Sequence, residues 1–235
     1  MPTALITGAS RGIGRRTAEL LSARGWNLML IARSGDELED LAHSCRGCGV
    51  EVACQRLDLT NPDSIASGVA ALLQQGEPPS VLINNAGAAY TGDLLGMPLS
   101  RWQWLLQLNL TSVFQVCAAV VPAMRNGGGL VINISSHAAR NAFPQWGAYC
   151  VTKAALASFT RCLAEEERGN GIRACTLTLG AVNTPLWDAE SVHSDFDRHA
   201  MLSVDQAADA LVNLVEQPSN QVIEDLTLMP STGAF

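Results

Sequence analysis

The sequence predicts a doubly wound α/β fold, a parallel seven-stranded sheet with helices on both faces, and three observations carry that reading. Short runs rich in Val, Ile and Leu alternate with longer amphipathic stretches. The runs are apolar throughout rather than alternating with polar residues, as strands covered on both faces must be. The residues best suited to chemistry follow immediately after those runs, at what would be the carboxyl edge of a parallel sheet, where such folds bind ligands.

The predicted strands are residues 3–7, 27–32, 51–56, 80–84, 129–135, 173–179 and 225–229. Between them, helical periodicity appears at 15–23, 63–74, 102–124, 149–168 and 204–216. No linker-like stretch or internal repeat divides the chain, so one domain is expected over 1–235. With 48% hydrophobic and 16% charged residues, it is long enough to bury a full core.

A net charge of −7 excludes a general nucleic-acid surface, which needs clustered cations. Arg11, Arg15, Arg16, Arg24 and Arg33 nevertheless crowd the N-terminal part, a bias that suits a phosphate-bearing small molecule. No stretch is expected to reach membrane-spanning length, and nothing reads as an export signal. The seven cysteines cannot all pair, and most sit in apolar runs, so free thiols and a cytoplasmic location are expected. Cys45 and Cys48 have no second ligand pair at zinc spacing, and no metal site is expected.

The first strand runs into Thr7-Gly8-Ala9-Ser10-Arg11-Gly12-Ile13-Gly14 and then a helix. Gly8 permits a sharp turn, while Gly12 and Gly14 leave room for a pyrophosphate and for helix-on-strand packing. The helix N-terminus adds free N–H groups and a positive dipole end. A dinucleotide is the implied cofactor. After the second strand, Ala32-Arg33 stands where a carboxylate would grip the ribose 2′-hydroxyl of NAD. Arg33, with Arg11 opposite, favours the 2′-phosphate of NADP(H) over NAD(H), although Asp36 lies just downstream. Asp58, followed by Leu59, can accept the adenine amino group. Asn85, Ala86 and Gly87 end the fourth strand with residues small enough to leave room for a ribose, although Asn also turns and caps chains.

Lys153 is the only lysine, and Tyr149 is one of 2 tyrosines. Four apart in a helical stretch, they share one face. Hydride transfer to a carbonyl leaves an oxyanion that needs a proton near neutrality. A free tyrosine holds its proton too tightly, and a neighbouring ammonium is expected to make it more acidic. Ser136, after the fifth strand, can hold the substrate oxygen, with Ser135 as its competitor. Asn109 lies mid-helix, where asparagine is disfavoured. It is expected to kink the helix and hold a water in a proton relay to Lys153.

These motifs together resemble the short-chain dehydrogenase/reductase family, over residues 7 to about 228. The resemblance rests on Thr7-Gly8-x-x-x-Gly12-x-Gly14, Asn84-Asn85-Ala86-Gly87, Asn109, Ser136 and Tyr149-x-x-x-Lys153. It implies a Rossmann-like fold and a carbonyl/secondary-alcohol oxidoreductase. Tyr149 would be the acid/base, Lys153 the ribose anchor, Ser136 the carbonyl ligand and Asn109 the relay. Tyr149 and Lys153 also count among the cofactor-binding residues. A homodimer or homotetramer built on helices 102–124 and 149–168 is implied as well. The family's Pro-Gly after the sixth strand appears here as Leu179-Gly180. Gly180, Val182 and Thr184 remain to hold the cofactor carboxamide, but the loop loses the proline's stiffness. Residues 186–203, where the family keeps its substrate lid, are short and acidic.

The C-terminal segment leans towards the branch acting on small 3-hydroxy acids and related alcohols. A 3-oxoacyl-[acyl-carrier-protein] reductase and a non-catalytic dinucleotide-sensing or partner-binding subunit are the alternatives. His137, Arg140, Phe143, Trp146, Tyr90 and Trp187 are the candidate pocket residues, with Arg140 available to an anionic substrate.

Overall fold

A computed structural model describes residues 1–233, so the end of the expected 1–235 domain lies outside the described residues. Seven parallel strands form one sheet: β1 (Thr3–Thr7), β2 (Asn27–Ala32), β3 (Val52–Arg56), β4 (Val81–Asn84), β5 (Gly129–Ser136), β6 (Ile172–Leu179) and β7 (Asp225–Leu228). Their order is β3-β2-β1-β4-β5-β6-β7. The direction of winding reverses between β1 and β4, which opens a crevice at their carboxyl ends.

Alternation along each strand sends side chains to two separate cores. Ala4, Ile6 and Ile83 pack into one core, with residues of α1 (Gly12–Ala23), α2 (Gly35–Arg46) and, near the chain's end, a helix over Val204–Val215. Leu5, Leu82 and Val131 point the other way, onto α3 (Pro62–Leu73) and the helices that follow β4 and β5. Both faces are therefore apolar, and β1 is buried at every position. The edge strand β7 alternates exposed and half-buried residues, as one open side requires.

After β4 come α4 (Leu99–Leu106), a π-helical turn (Gln107–Thr111) and α5 (Ser112–Met124); β5 leads to α6 (Gly147–Glu167), and β6 to α7 (Val204–Val215). The expectation that no stretch reaches membrane-spanning length is not met. Among the described residues, the continuous helical run Leu99–Met124 is long and apolar enough to cross a membrane by length and composition. Its apolarity has a packing reason: Val113, Val116, Cys117, Val120 and Met124 fill the second core.

Two buried asparagines tie the centre of the sheet to α6. Asn84 Nδ2 donates to Asn133 Oδ1 (2.8 Å), and Asn133 Nδ2 donates to Thr160 Oγ1 (2.9 Å). Buried amides need such partners, and this chain of bonds fixes the helix that carries Tyr149 and Lys153.

Candidate active site

The glycine turn is locked to the end of β4. Thr7 Oγ1 accepts from the backbone N–H groups of Asn85 and Ala86, both at 3.1 Å, and Asn85 Nδ2 donates to the carbonyls of Thr7 and Gly8 at 3.0 Å. A Cβ on Gly8 would stand 2.8 Å from Ala86 Cα, and one on Gly14 would collide with the Gly8 carbonyl and the Asn85 side chain. Only glycine fits there. The Asn85 amide is thus spent on holding two turns together, and the cleft receives the bare backbone.

At the start of α1, Arg11 occupies the N-cap without a capping side chain, and no acid lies in the first turn. The helix N–H groups are left for an anion. Gly12 faces Thr184 and Pro185 across the cleft, where an added Cβ would lie 3.8 Å from each. Arg11 and Arg33 are both exposed, and neither forms an ion pair among the described residues. One Asp58 oxygen accepts from Thr60 N–H (2.9 Å) and Oγ1 (2.8 Å).

Every expected cofactor-binding and catalytic residue lines one cleft of about 620 Å³, except Gly14 and Asn109, which stand behind it. The cleft has the size and mixed lining of a cofactor site. A side-chain-free turn, a free helix N-terminus and two exposed guanidiniums fit a phosphorylated dinucleotide.

At the other end, Ser136 Oγ hydrogen-bonds Tyr149 and also accepts from Ala138 N–H (3.2 Å). Ser135 Oγ is buried and donates to Lys153 O at 3.2 Å, so it serves the helix and Ser136 faces the cleft. Lys153 is buried; its Nζ lies 5.7 Å from the Tyr149 ring centre and donates to Ile134 O at 2.9 Å.

The expectation that the ammonium makes the phenol more acidic is not met in the chain alone. Burial pushes Tyr149 up to about 12, with the Ser136 hydrogen bond acting in the opposite direction. Burial also lowers Lys153 to about 8. Removing water penalises tyrosinate and ammonium alike, and neither shift carries a contribution from the other group.

Asn109 sits fully buried in the π-helical turn, so the expected kink takes the form of a widened turn. Its Oδ1 accepts from Ala88 N–H (2.9 Å), and its Nδ2 donates to Ala88 O (2.9 Å) and Thr152 Oγ1 (3.1 Å). Gly87 separates it from the lysine: a Cβ there would lie 3.3 Å from Asn109 Oδ1 and 3.6 Å from Lys153 Nζ.

A family model for short chain dehydrogenases matches residues 2–194. The chain is a short-chain dehydrogenase/reductase. It is 32% identical over 239 residues to an uncharacterised oxidoreductase of Staphylococcus saprophyticus, covering 98% of this chain and 96% of that protein. An alcohol dehydrogenase from the archaeon Thermococcus sibiricus, solved with 5-hydroxy-NADP, superposes with a TM-score of 0.90 at 30% identity, covering 98% and 97% of the two chains. L-Sorbose reductase from Gluconobacter frateurii, solved with NADPH and L-sorbose, gives 0.88 at 26% identity, covering 97% and 95%. This short-chain dehydrogenase/reductase is accordingly an NAD(P)-dependent oxidoreductase.

Of the expected pocket residues, His137, Phe143, Trp146 and Trp187 line the cleft, whereas Arg140 and Tyr90 do not. Arg140 is drawn to β7, pairing with Asp225 at 2.7 Å and donating to Thr227 Oγ1 at 3.1 Å. The loop without the family's proline is held by other means. Gly180 N–H donates to Leu228 O, Asn183 N–H to Leu202 O and Leu202 N–H to Ala181 O, each at 2.9 Å. Arg198 clamps the same loop through Asn183 Oδ1, Asp188 and Thr184 O. Glu37, Thr60, Trp104, Phe196 and Met229 line the cleft without having been singled out from sequence. Thr60 follows a strand and was legible by that rule. Met229 was expected inside the last strand, which ends one residue earlier at Leu228, and the others reach the cleft from helices or irregular chain.

Proposed function

We propose that this enzyme interconverts a ketone and a secondary alcohol with NADP(H), and that Tyr149 exchanges the proton. The observation that carries the reading is the convergence of Ser136, Tyr149 and Lys153 on one wall of a cleft whose other end is a glycine turn with two exposed arginines. When bound, the nicotinamide supplies or accepts the hydride. In the reducing direction, the carbonyl carbon gains that hydride and the oxygen gains the Tyr149 proton, so ketone, NADPH and H⁺ become alcohol and NADP⁺.

Tyr149 is protonated at neutrality and hence ready to donate. Ser136 holds the substrate oxygen beside it. Lys153 would hold the nicotinamide ribose, and its charge steadies the phenolate left after transfer. Asn109 acts as a positioning residue for the segment at Ala88, next to the lysine. Gly8, Ser10, Gly12, Ile13 and the α1 N-terminus would take the pyrophosphate, with Gly14 keeping the turn close. Arg11 and Arg33 would take the 2′-phosphate, and Asp58 and Leu59 the adenine. Ala86 and Gly87 would line the adenosine side, and Gly180, Val182 and Thr184 the carboxamide. Residues 186–203 cover the substrate side.

We also infer a homodimer or homotetramer through α5 and α6, where Phe114 (55%) and Val151 (43%) are exposed. The seven cysteines are all unpaired, which fits a reducing, cytoplasmic setting.

Tyr149→Phe tests the assignment. Turnover is expected to fall by about 10³-fold or more, the scale of a lost general acid, while the NADPH dissociation constant, read by fluorescence titration, stays within twofold or so. Substantial residual turnover removes Tyr149 from the role.

A further inference from the structure

We propose that the substrate is an uncharged ketone, or its alcohol, bearing a bulky apolar group that lies on a wall of Trp146, Trp187 and Phe196, an aryl ring being the best match. This rests on the preceding reading that Tyr149 serves a carbonyl in the cleft.

The wall starts at Tyr149 itself. Trp146 meets it edge-on with ring centres 5.6 Å apart, Trp187 lies 5.6 Å from Trp146, and Phe196 stacks on Trp146 at 6.3 Å with planes 9° apart. Trp187 and Phe196 close the set edge-on at 5.7 Å. The three rings come from the start of α6, the turn Pro185–Asp188 and the segment beyond it, and all three line the cleft. Rings that brace one another keep their faces in place for a further ring.

Polar groups at this end are engaged elsewhere. Trp187 Nε1 donates to Val182 O (2.8 Å), Ser191 Oγ donates to Ala89 O (2.9 Å), and the His137 ring is held by Asn141 Nδ2 (2.8 Å). Among the described lining residues, Arg11, Arg33, Glu37 and Asp58 lie at the nucleotide end. Lys153 directs its ammonium to Ile134 O. Arg140, the cation that an oxo acid would need, is committed to Asp225. A carboxylate brought against this wall would lose its water and gain no partner cation. A phenyl-sized group gains by leaving water.

The test compares kcat/KM with saturating NADPH for 4-phenylbutan-2-one, 3-oxobutanoate and the methyl ester of 3-oxobutanoate. The aryl ketone is expected to exceed the anion by about 100-fold, from apolar burial on one side and carboxylate desolvation on the other. The neutral ester should fall between them. Trp187→Ala should shrink the aryl preference by about tenfold, mainly through KM, and Trp187→Phe should restore most of it. NADPH affinity should change alike in the two variants, since both lose the Trp187 Nε1 hydrogen bond to Val182 O. An anion that matches or beats the aryl ketone overturns the inference while leaving the carbonyl chemistry intact. An aryl preference undiminished in Trp187→Ala also overturns it. If no carbonyl is turned over while NADPH is bound, the preceding reading fails. Tryptophan fluorescence with NADP⁺ and 4-phenylbutan-2-one then decides this one: saturable quenching sustains the apolar site, and a flat titration overturns it.

Discussion

At its nucleotide end the cleft presents bare backbone, a helix N-terminus and exposed arginines; at its carbonyl end it presents stacked rings around a buried tyrosine and lysine. The first end is assembled from contiguous segments that follow β1, β2 and β3, with α1 supplying dipole and donors. The second joins residues as far apart as Ser136 and Phe196 through packing. The difference also shows in how each end handles charge. Arg11 and Arg33 remain in water and cost the fold little, whereas Lys153 is buried and pushed down to about 8. On the proposed reading, recognition of phosphate is delegated to cheap surface cations, and proton chemistry to a cation held at the expense of stability.

The sharpest way to break that contrast is Lys153→Met. Turnover should fall by about 10³-fold, yet the protein should become more stable at neutral pH. The ordinary lysine value is 10.5 and the folded value about 8. Keeping the ammonium charged at pH 7 therefore costs roughly 3 kcal/mol. Loss of the Ile134 hydrogen bond offsets about 1–2 kcal/mol of the gain from removing it.

Between pH 8 and 10.5 the unfolded chain binds more protons at this site than the folded one. The Lys153 contribution to the parent's stability rises with pH across that window. The buried thiols of Cys54, Cys117 and Cys175, all held above their ordinary value, pull the other way in both proteins. The variant's advantage over the parent therefore shrinks. Tyr149, held near 12, keeps its proton meanwhile. Chemical denaturation of both proteins across this range reads the difference, and a variant less stable at pH 7 contradicts it. In the parent, kcat/KM for reduction should decline as pH rises through about 8, where the anchor loses its charge.

Asn109→Ala probes the frame behind the catalytic wall. It strips partners from both backbone groups of Ala88 and from Thr152 in a fully buried place. A loss of about 2–4 kcal/mol is expected in urea denaturation, with turnover reduced less than in Lys153→Met. The opposite ranking, little stability lost and turnover abolished, would make Asn109 a participant in proton transfer instead of a positioning residue.

What was legible in the sequence follows the same division. Strands β1 and β2 run over the residues their apolar pattern predicts, because burial on both faces leaves an unbroken apolar run as a local signature. The glycine turn, Arg33, Asp58 and the Tyr149–Lys153 pair were readable because a turn, a strand end and a helical repeat are each set by neighbours in sequence. Three features were not. The sign of the Tyr149 shift depends on how much water the folded chain removes. Arg140 turned out to face Asp225, some eighty-five residues away. Phe196 joins Trp146, fifty positions earlier in the chain. Contacts of that kind belong to tertiary packing, and no spacing rule reports them.

The smallest expected effect lies at the nucleotide end, and it sharpens the contrast. Arg33→Asp should raise the Michaelis constant for NADPH by about 10–30-fold, the scale of one charge-assisted contact to a phosphate, and improve NADH. Glu37 lines the same stretch of cleft, so the new carboxylate would add to an acid already present. Because Arg33 is exposed, unfolding free energy should shift by no more than about 0.5 kcal/mol. Ionic strength separates the two ends further. The parent's preference for NADPH should weaken as salt screens exposed guanidiniums, whereas its preference for an aryl ketone, resting on apolar contact, should hold or strengthen. A parent enzyme that uses NADH and NADPH equally at low salt would remove the arginines from cofactor choice and leave Ala32, with no acid in its place, as a mere absence of selection.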